Sequence, residues 1–261
     1  MTLERRAVFL DEMGIGPLWQ RRDVPPVVDV PEPMASAAVA AFVEEVIVAE
    51  PAPVIDMAPP APKAPPTSAV ASMDWMQLKE SVAGCVKCSL CNGRTKTVFG
   101  VGDEKAKWLF IGEGPGRNED QTGEPFVGPA GKLLDNMLRA IGVKRGENAY
   151  IANIVKCRPT DENGRDRPPT AEEAGACMPY LERQIALIQP TVLVALGKTA
   201  ALSLLGLDPD TPVSKLRGTV HSYAGLPLVV TYHPAYLLRS LGDKRKAWAD
   251  LCLAMTTYAN A

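Results

Sequence analysis

A chain of 261 residues can hold one large domain or two small ones, and proline decides between them: residues 25–66 carry 11 prolines and 10 alanines with a single aromatic, Phe42. Such a stretch buries too little apolar surface to offset its ordering entropy, which excludes a second packed domain there and predicts an extended linker. The formal charge of −2 combines an acidic part, residues 1–75 (5 Lys/Arg against 11 Asp/Glu), with a mildly basic one, residues 76–261 (23 against 19), a balance compatible with a polyanionic ligand but not diagnostic of one.

In chain order, residues 1–24 stand apart from the linker. Phe9, Leu10, Met13, Ile15, Leu18 and Trp19 are too many large apolar groups for a solvated tail, which predicts a peptide that folds on a partner or packs back on the domain. Residues 25–73 read as the Pro/Ala-rich linker; its apolar patch Ala35–Val48 is broken by Glu44 and Glu45 and is too short to span a bilayer. Glu4, Asp11 and Glu12, with no apolar run ahead of a cleavage site, speak against a signal peptide. A cytoplasmic protein without membrane contact is expected.

Residues 74–261 read as one globular domain in which strand and helix signals alternate. Short, wholly apolar runs at Trp108–Ile111, Tyr150–Val155, Thr191–Leu196 and Leu228–Tyr232 predict central strands covered on both faces. Helical periodicity occupies Pro129–Ile141, Thr170–Ile188, Lys198–Leu205 and Asp243–Tyr258, with Thr170 and Glu173 at capping-box spacing. The fold class is α/β: a three-layer α/β/α sandwich around a mostly parallel four-stranded sheet, two helices to a face.

The strand ending at Ile111 runs into Gly112-Glu-Gly-Pro-Gly116, then a loop with Glu119, Asp120 and Phe126, then the helix starting at Pro129. Gly112, Gly114 and Gly116 permit positive φ and close approach of a ligand to the backbone, and the carboxyl end of a strand is where open α/β sheets bind ligands. Asn153 ends the second strand, and its amide can both donate to and accept from the edge of a base. His233 ends the fourth, followed by Pro234 and then by Leu237, Leu238 and Arg239, a pattern suited to an apolar wedge beside a phosphate contact. His221, in a hairpin before Leu226, is assigned no role.

Six cysteines complete the inventory. Cys85 and Cys88 have the two-residue spacing that lets two thiolates reach one centre, Cys88 and Cys91 repeat it, Cys157 follows a strand, and Cys177 lies in a helix. Four thiolates suit zinc or an iron–sulfur cluster equally, and spacing does not separate them. Cys252 reads as a small buried hydrophobe on the last helix.

Taken together, Gly112–Gly116 with Glu119-Asp120, Thr122–Gly128, Asn153–Pro159 and His233–Leu238 resemble the family 4 uracil-DNA glycosylases, the iron–sulfur type, over about residues 74–258. The resemblance implies a uracil-DNA glycosylase that hydrolyses the N-glycosidic bond of deoxyuridine in DNA, on a uracil-DNA glycosylase-like fold and as a monomer acting at the nucleoid. It implies a structural [4Fe–4S] cluster on Cys85, Cys88, Cys157 and Cys177, with zinc as the alternative and Cys91 outside the ligand set. It implies that Phe126 stacks on extruded uracil, Asn153 pairs with its edge, Glu119 crowds C5 against thymine, and His233 with the backbone of Gly112 and Gly114 stabilises the departing anion. Gly114 occupies the position where other branches carry a water-orienting Asp or Asn, which leaves Glu113 as the nearest carboxylate. The segment between Cys157 and Cys177 is a few residues longer than the family pattern, with the polar insertion Asp161–Arg167. Residues 1–24 are similar to the N-terminal peptide of the psi subunit of bacterial DNA polymerase III, which implies the clamp loader as a partner. A non-catalytic accessory protein and a glycosylase that traps the abasic sugar covalently are the competing readings.

Overall fold

The computed structural model describes residues 69–261; residues 1–24 and most of the linker lie outside the described part. Ala69–Ser72 forms a 3-10 turn with Val70 buried, and the Met73 carbonyl accepts from Arg183 Nε at 2.6 Å. Helix α1 (Trp75–Ala83) follows, started by a capping box of Asp74 and Gln77.

One seven-stranded sheet organises the domain. Its strands are β1 (Val101–Gly102), β2 (Trp108–Gly112), β3 (Lys144–Arg145), β4 (Asn148–Asn153), β5 (Val192–Leu196), β6 (Val220–Tyr223) and β7 (Leu226–Thr231). The order is β1-β4-β2-β5-β7-β6, with β3 also on β4. The four expected strands β4, β2, β5 and β7 are the parallel centre. Antiparallel β1 and β6 extend it, β6 through the expected hairpin into β7. The chain leaves β2 for β4 on one side and leaves β5 for β7 on the other, so the connections after the neighbours β2 and β5 diverge at the carboxyl edge, the switch point where open sheets form a ligand crevice.

Alternate residues of the apolar strands face opposite layers, as period-two geometry requires. Leu109, Ile111, Leu193 and Ala195 pack with α1, α4 (Ala171–Ile188) and α5 (Lys198–Leu205). Phe110, Ile151, Val194 and Val229 pack with α3 (Pro129–Ala140), α7 (Pro234–Arg239) and α8 (Lys244–Ala259). Thr170 and Glu173 form the expected capping box of α4. Three short helices were not foreseen: α2 (Arg117–Thr122) and α7, both in segments read as loop, and α6 (Val213–Leu216). Among the described residues no helix is long and apolar enough to cross a membrane.

Candidate active site

A cavity of about 460 Å³ opens at the carboxyl edge of the sheet, lined by Glu113, Gly114, Glu119, Phe126, Asn153, His233 and Arg239, with Asp166, Arg167 and Pro168 on its wall. Residues far apart in sequence meet here because Gly112 and Asn153 are register partners at the ends of β2 and β4, and His233 follows the end of β7.

None of Gly112, Gly114 and Gly116 takes up the positive φ open to a glycine, so of the two expected uses close approach is the one realised. A Cβ on Gly112 would strike the Asn153 amide and come within 2.7 Å of the Phe126 ring; one on Gly114 would come within 2.7 Å of Val155. Phe126 itself is left-handed, φ 56°, and its ring lies 5.5 Å from that of His233 at 30°. Asn153 is buried, and its Oδ1 has no hydrogen-bond partner among the described residues. An orphaned buried acceptor is costly, roughly 1–3 kcal/mol, so this one marks a place where a ligand donor fits.

His233 is the N-cap of α7, with Pro234 in the first turn. Its Nδ1 accepts from the Ala235 N–H at 3.1 Å, which puts the proton of the neutral ring on Nε2. Burial, helped by the Arg239 charge and opposed by Glu119, holds the imidazole down at about 4, so the ring is neutral at physiological pH. Glu113 lines the same cavity and accepts a hydrogen bond from the Thr199 hydroxyl at the start of α5. Burial pushes its carboxyl above the ordinary carboxylate range, and the Thr199 bond opposes the shift.

Glu119 is already engaged: its Oε1 accepts from the N–H groups of Val127 (3.0 Å) and Gly128 (3.3 Å), holding the Phe126 loop. Lys156, fully buried, supports Asn153 from behind, its Nζ donating to the Asn153 carbonyl (2.9 Å) and to Gln184 (2.7 Å). Neither this lysine nor the loop Asp161–Arg167 carries a local motif that marks it as site-forming. The loop reaches the cavity because Arg158 pairs with Asp166 at 2.6 Å and Arg167 makes a two-pronged pair with Glu173 at 2.6 and 2.8 Å.

The expected wedge is corrected in part. Leu237 is 0% exposed and packs into the layer of α3 and α8, whereas Leu238 is 42% exposed. Successive residues on a helix point about 100° apart, so one leucine of the pair turned inward when α7 formed. The neighbouring Leu241, 62% exposed on the turn Leu241–Asp243, was missed. Arg239, the expected phosphate contact, lines the cavity.

On the α1/α4 side, Cys85, Cys88, Cys91, Cys157 and Cys177 line a second, enclosed cavity. Arg94 closes it, donating to Cys157 Sγ at 3.4 Å and to the Cys85 carbonyl at 2.6 Å, and the Lys156 N–H donates to Cys177 Sγ at 3.3 Å. Burial pushes the Cys157 thiol up and that of Cys177 to about 11, which disfavours the free thiolate at both. No three Cys, His, Asp or Glu groups among the described residues stand close enough to hold a single metal ion. Cys252 packs on the opposite layer, away from these thiols.

The sequence model of the uracil DNA glycosylase superfamily matches residues 99–252. The chain is 44% identical over 168 residues to the type-4 uracil-DNA glycosylase of Thermotoga maritima, covering 64% of this chain and 84% of that protein. It is 46% identical over 163 residues to the type-4 enzyme of Archaeoglobus fulgidus (60% and 79%). Against the type-5 uracil-DNA glycosylase of Pyrobaculum aerophilum the identity falls to 28% over 152 residues (52% and 64%). With the glycine loop, Asn153 and His233 gathered at one sheet edge, these similarities have a structural basis, and the chain belongs to the uracil DNA glycosylase superfamily, among the type-4 enzymes.

Proposed function

We propose that this chain removes uracil from DNA by hydrolysing the N-glycosidic bond of deoxyuridine, leaving an abasic site. The observation that carries the reading is the unpartnered Oδ1 of Asn153, in one cavity with the Phe126 ring and a neutral His233. Uracil N3–H is a donor for that oxygen, and cytosine, with an unprotonated N3, leaves it orphaned.

A base inside a duplex is out of reach, so extrusion comes first, at roughly a few kcal/mol. Leu238 and Leu241 fill the gap left in the stack, and Arg239 contacts a flanking phosphate. Phe126 stacks on the extruded uracil. As the N1–C1′ bond breaks, its electron pair moves into the pyrimidine and develops charge at O2, while C1′ becomes an oxocarbenium ion. His233 Nε2–H, together with backbone N–H groups of the glycine loop, donates to O2; one such donor is worth about 10² to 10³ in rate. Water then adds to C1′ and loses a proton, with Glu113 orienting it. Glu119 is the wall against a C5 methyl and, through Val127 and Gly128, the brace of the stacking loop.

Cys85, Cys88, Cys157 and Cys177 fit a [4Fe–4S] cluster. A zinc ion with sulfurs at about 2.3 Å requires four thiolates within about 4 Å of one another. Both groups take an all-thiol donor set such as the one that lines this cavity, and it is the resemblance to the iron–sulfur type that favours a cluster over that alternative. Bound, it would staple α1, the end of β4 and α4 together, a structural role. The apolar peptide in residues 1–24 is read as a docking segment for the clamp loader, with the glycosylase domain acting as a monomer at the nucleoid. Retention of clamp-loader subunits on residues 1–24 tests the former.

The decisive assay incubates purified protein with a uracil-containing oligonucleotide and cleaves abasic sites with alkali. Strand scission at the uracil position, absent with cytosine or thymine there, is the expected outcome; an intact strand overturns the reading.

A further inference from the structure

The stacking residue is not held by its own side chain. Phe126 adopts the left-handed conformation at φ 56°, unfavourable for a residue with a Cβ. Its carbonyl packs so tightly on Gly131, in the first turn of α3, that no side chain fits there. The backbone on either side is gripped by two side chains of opposite charge.

From one side, Arg145 on β3 donates from Nη1 to the Pro125 carbonyl and from Nη2 to the Phe126 carbonyl, each at 2.9 Å. From the other, Glu119 accepts the N–H groups of Val127 and Gly128. Four consecutive residues thus each give one backbone group to the grip. Arg145 is aimed by Asp135 of α3, which accepts its Nε at 3.0 Å. Arg145 does not line the cavity, so it has no direct route to the substrate. A guanidinium presents several donors in a fixed plane and reaches two carbonyls and a carboxylate at once; an ammonium on a flexible stem does not.

We propose that Arg145 is a positioning residue for uracil recognition, acting solely by fixing the backbone of Phe126 so that its ring is preformed as a stacking face. The proposal rests on the stacking role of Phe126. Arg145→Ala frees two carbonyls and lets the loop leave the left-handed state. The face must then be ordered each time uracil enters, which weakens binding without touching the groups at the scissile bond.

The test is steady-state excision from a single-stranded uracil oligonucleotide, with inhibition by free uracil, for the full-length wild type, Arg145→Lys, Arg145→Ala, Phe126→Ala and the Phe126→Ala/Arg145→Ala pair. Loss of a base–aromatic stack predicts KM and the inhibition constant of free uracil raised about tenfold in Arg145→Ala, with kcat within about threefold. Arg145→Lys falls between, and Arg145→Ala adds nothing once Phe126 is gone. Full additivity in the pair, or a loss confined to kcat with unchanged uracil inhibition, overturns the proposal. Unchanged uracil inhibition in Phe126→Ala retires the stacking reading and the role of Arg145 with it. If Arg145→Ala fails to fold, Asp135→Asn, which only loosens the guanidinium, must show a smaller change of the same kind.

Discussion

The rings of Phe126 and His233 lie 5.5 Å apart, and the Phe126 ring and the Asn153 amide can both close on the backbone of Gly112 because that residue has no side chain. A methyl group there meets the Asn153 amide and the Phe126 ring together. Gly112→Ala is therefore expected to lower excision by about 10²-fold, the scale of an ångström-sized misplacement. Its thermal midpoint should move little, because both displaced groups can shift into the cavity. Near wild-type activity in that variant would mean that the spacing of Asn153 and Phe126 is not used.

The proposed role of His233 is that of a neutral donor, and its titration is consistent with it. Its folded value near 4 lies below the ordinary 6.5, so the unfolded chain takes up a proton first as pH falls. The stability contributed by this group is complete above pH 6.5 and is lost between 6.5 and 4. Excision is expected to show no histidine titration between pH 8 and 5 in kcat, whereas His233→Ala lowers kcat by about 10² to 10³ at every pH. A kcat profile that falls on a titration near 6.5 in the wild type and not in the variant contradicts a neutral donor.

Glu113 is shifted the other way. Burial raises its folded value above the ordinary 4.5, so its stabilising influence belongs to the protonated form and is lost as pH rises. Glu113→Gln keeps an acceptor for the Thr199 hydroxyl while removing the buried charge. Activity is expected to fall about 10²-fold, a usual scale for a group that activates water. The melting temperature at pH 7 is expected to rise, and the difference from wild type to vanish near pH 4. Calorimetry at the two pH values checks the sign.

Much of this was legible in the sequence, for reasons particular residues make plain. The strands Trp108–Gly112 and Val192–Leu196 are apolar throughout because both faces are covered, and that pattern has few other readings. Gly112, Asn153 and His233 end such strands, so strand prediction alone brings them to one edge. The short strands β1 and β3 span two residues each, too few for any periodicity. Helix α2 is polar along its whole length (RNEDQT) and carries no apolar stripe to reveal it. Arg145 and Lys156 act through carbonyls 19 and 3 residues away, and nothing in a carbonyl's sequence identity advertises its partner. Leu237 was recoverable, since two adjacent leucines on one helix cannot share a face.

Spacing left two ligand sets open, and the set proposed here leaves out Cys91 although its thiol lines the same cavity. Cys157 and Cys177 are buried and hydrogen-bonded by Arg94 and the Lys156 N–H, while the Cys91 thiol donates to its neighbour Asn92 at 3.4 Å. Cys177→Ser is expected to abolish the broad visible absorption of an iron–sulfur cluster and to lower the melting temperature; Cys91→Ser is expected to keep both. Zinc in place of iron in metal analysis of the purified protein, with no visible chromophore, would decide for the alternative.

Leu238 and Leu241 are exposed on consecutive turns, and Tyr236 ties those turns together by donating to Asp243 at 2.6 Å. In the proposed mechanism this pair enters the gap an extruded nucleotide leaves, and it would matter only where there is a stack to open. Single-stranded substrate offers little stacking. Leu238→Ala/Leu241→Ala is therefore expected to lower excision from a duplex by about tenfold while leaving single-stranded uracil nearly unaffected, since a few kcal/mol of extrusion are at stake only in the duplex. Both leucines are exposed, so their loss leaves the core intact and a fall in thermal stability is not expected. Equal losses on the two substrates would show that these residues bind DNA generally rather than hold the stack open.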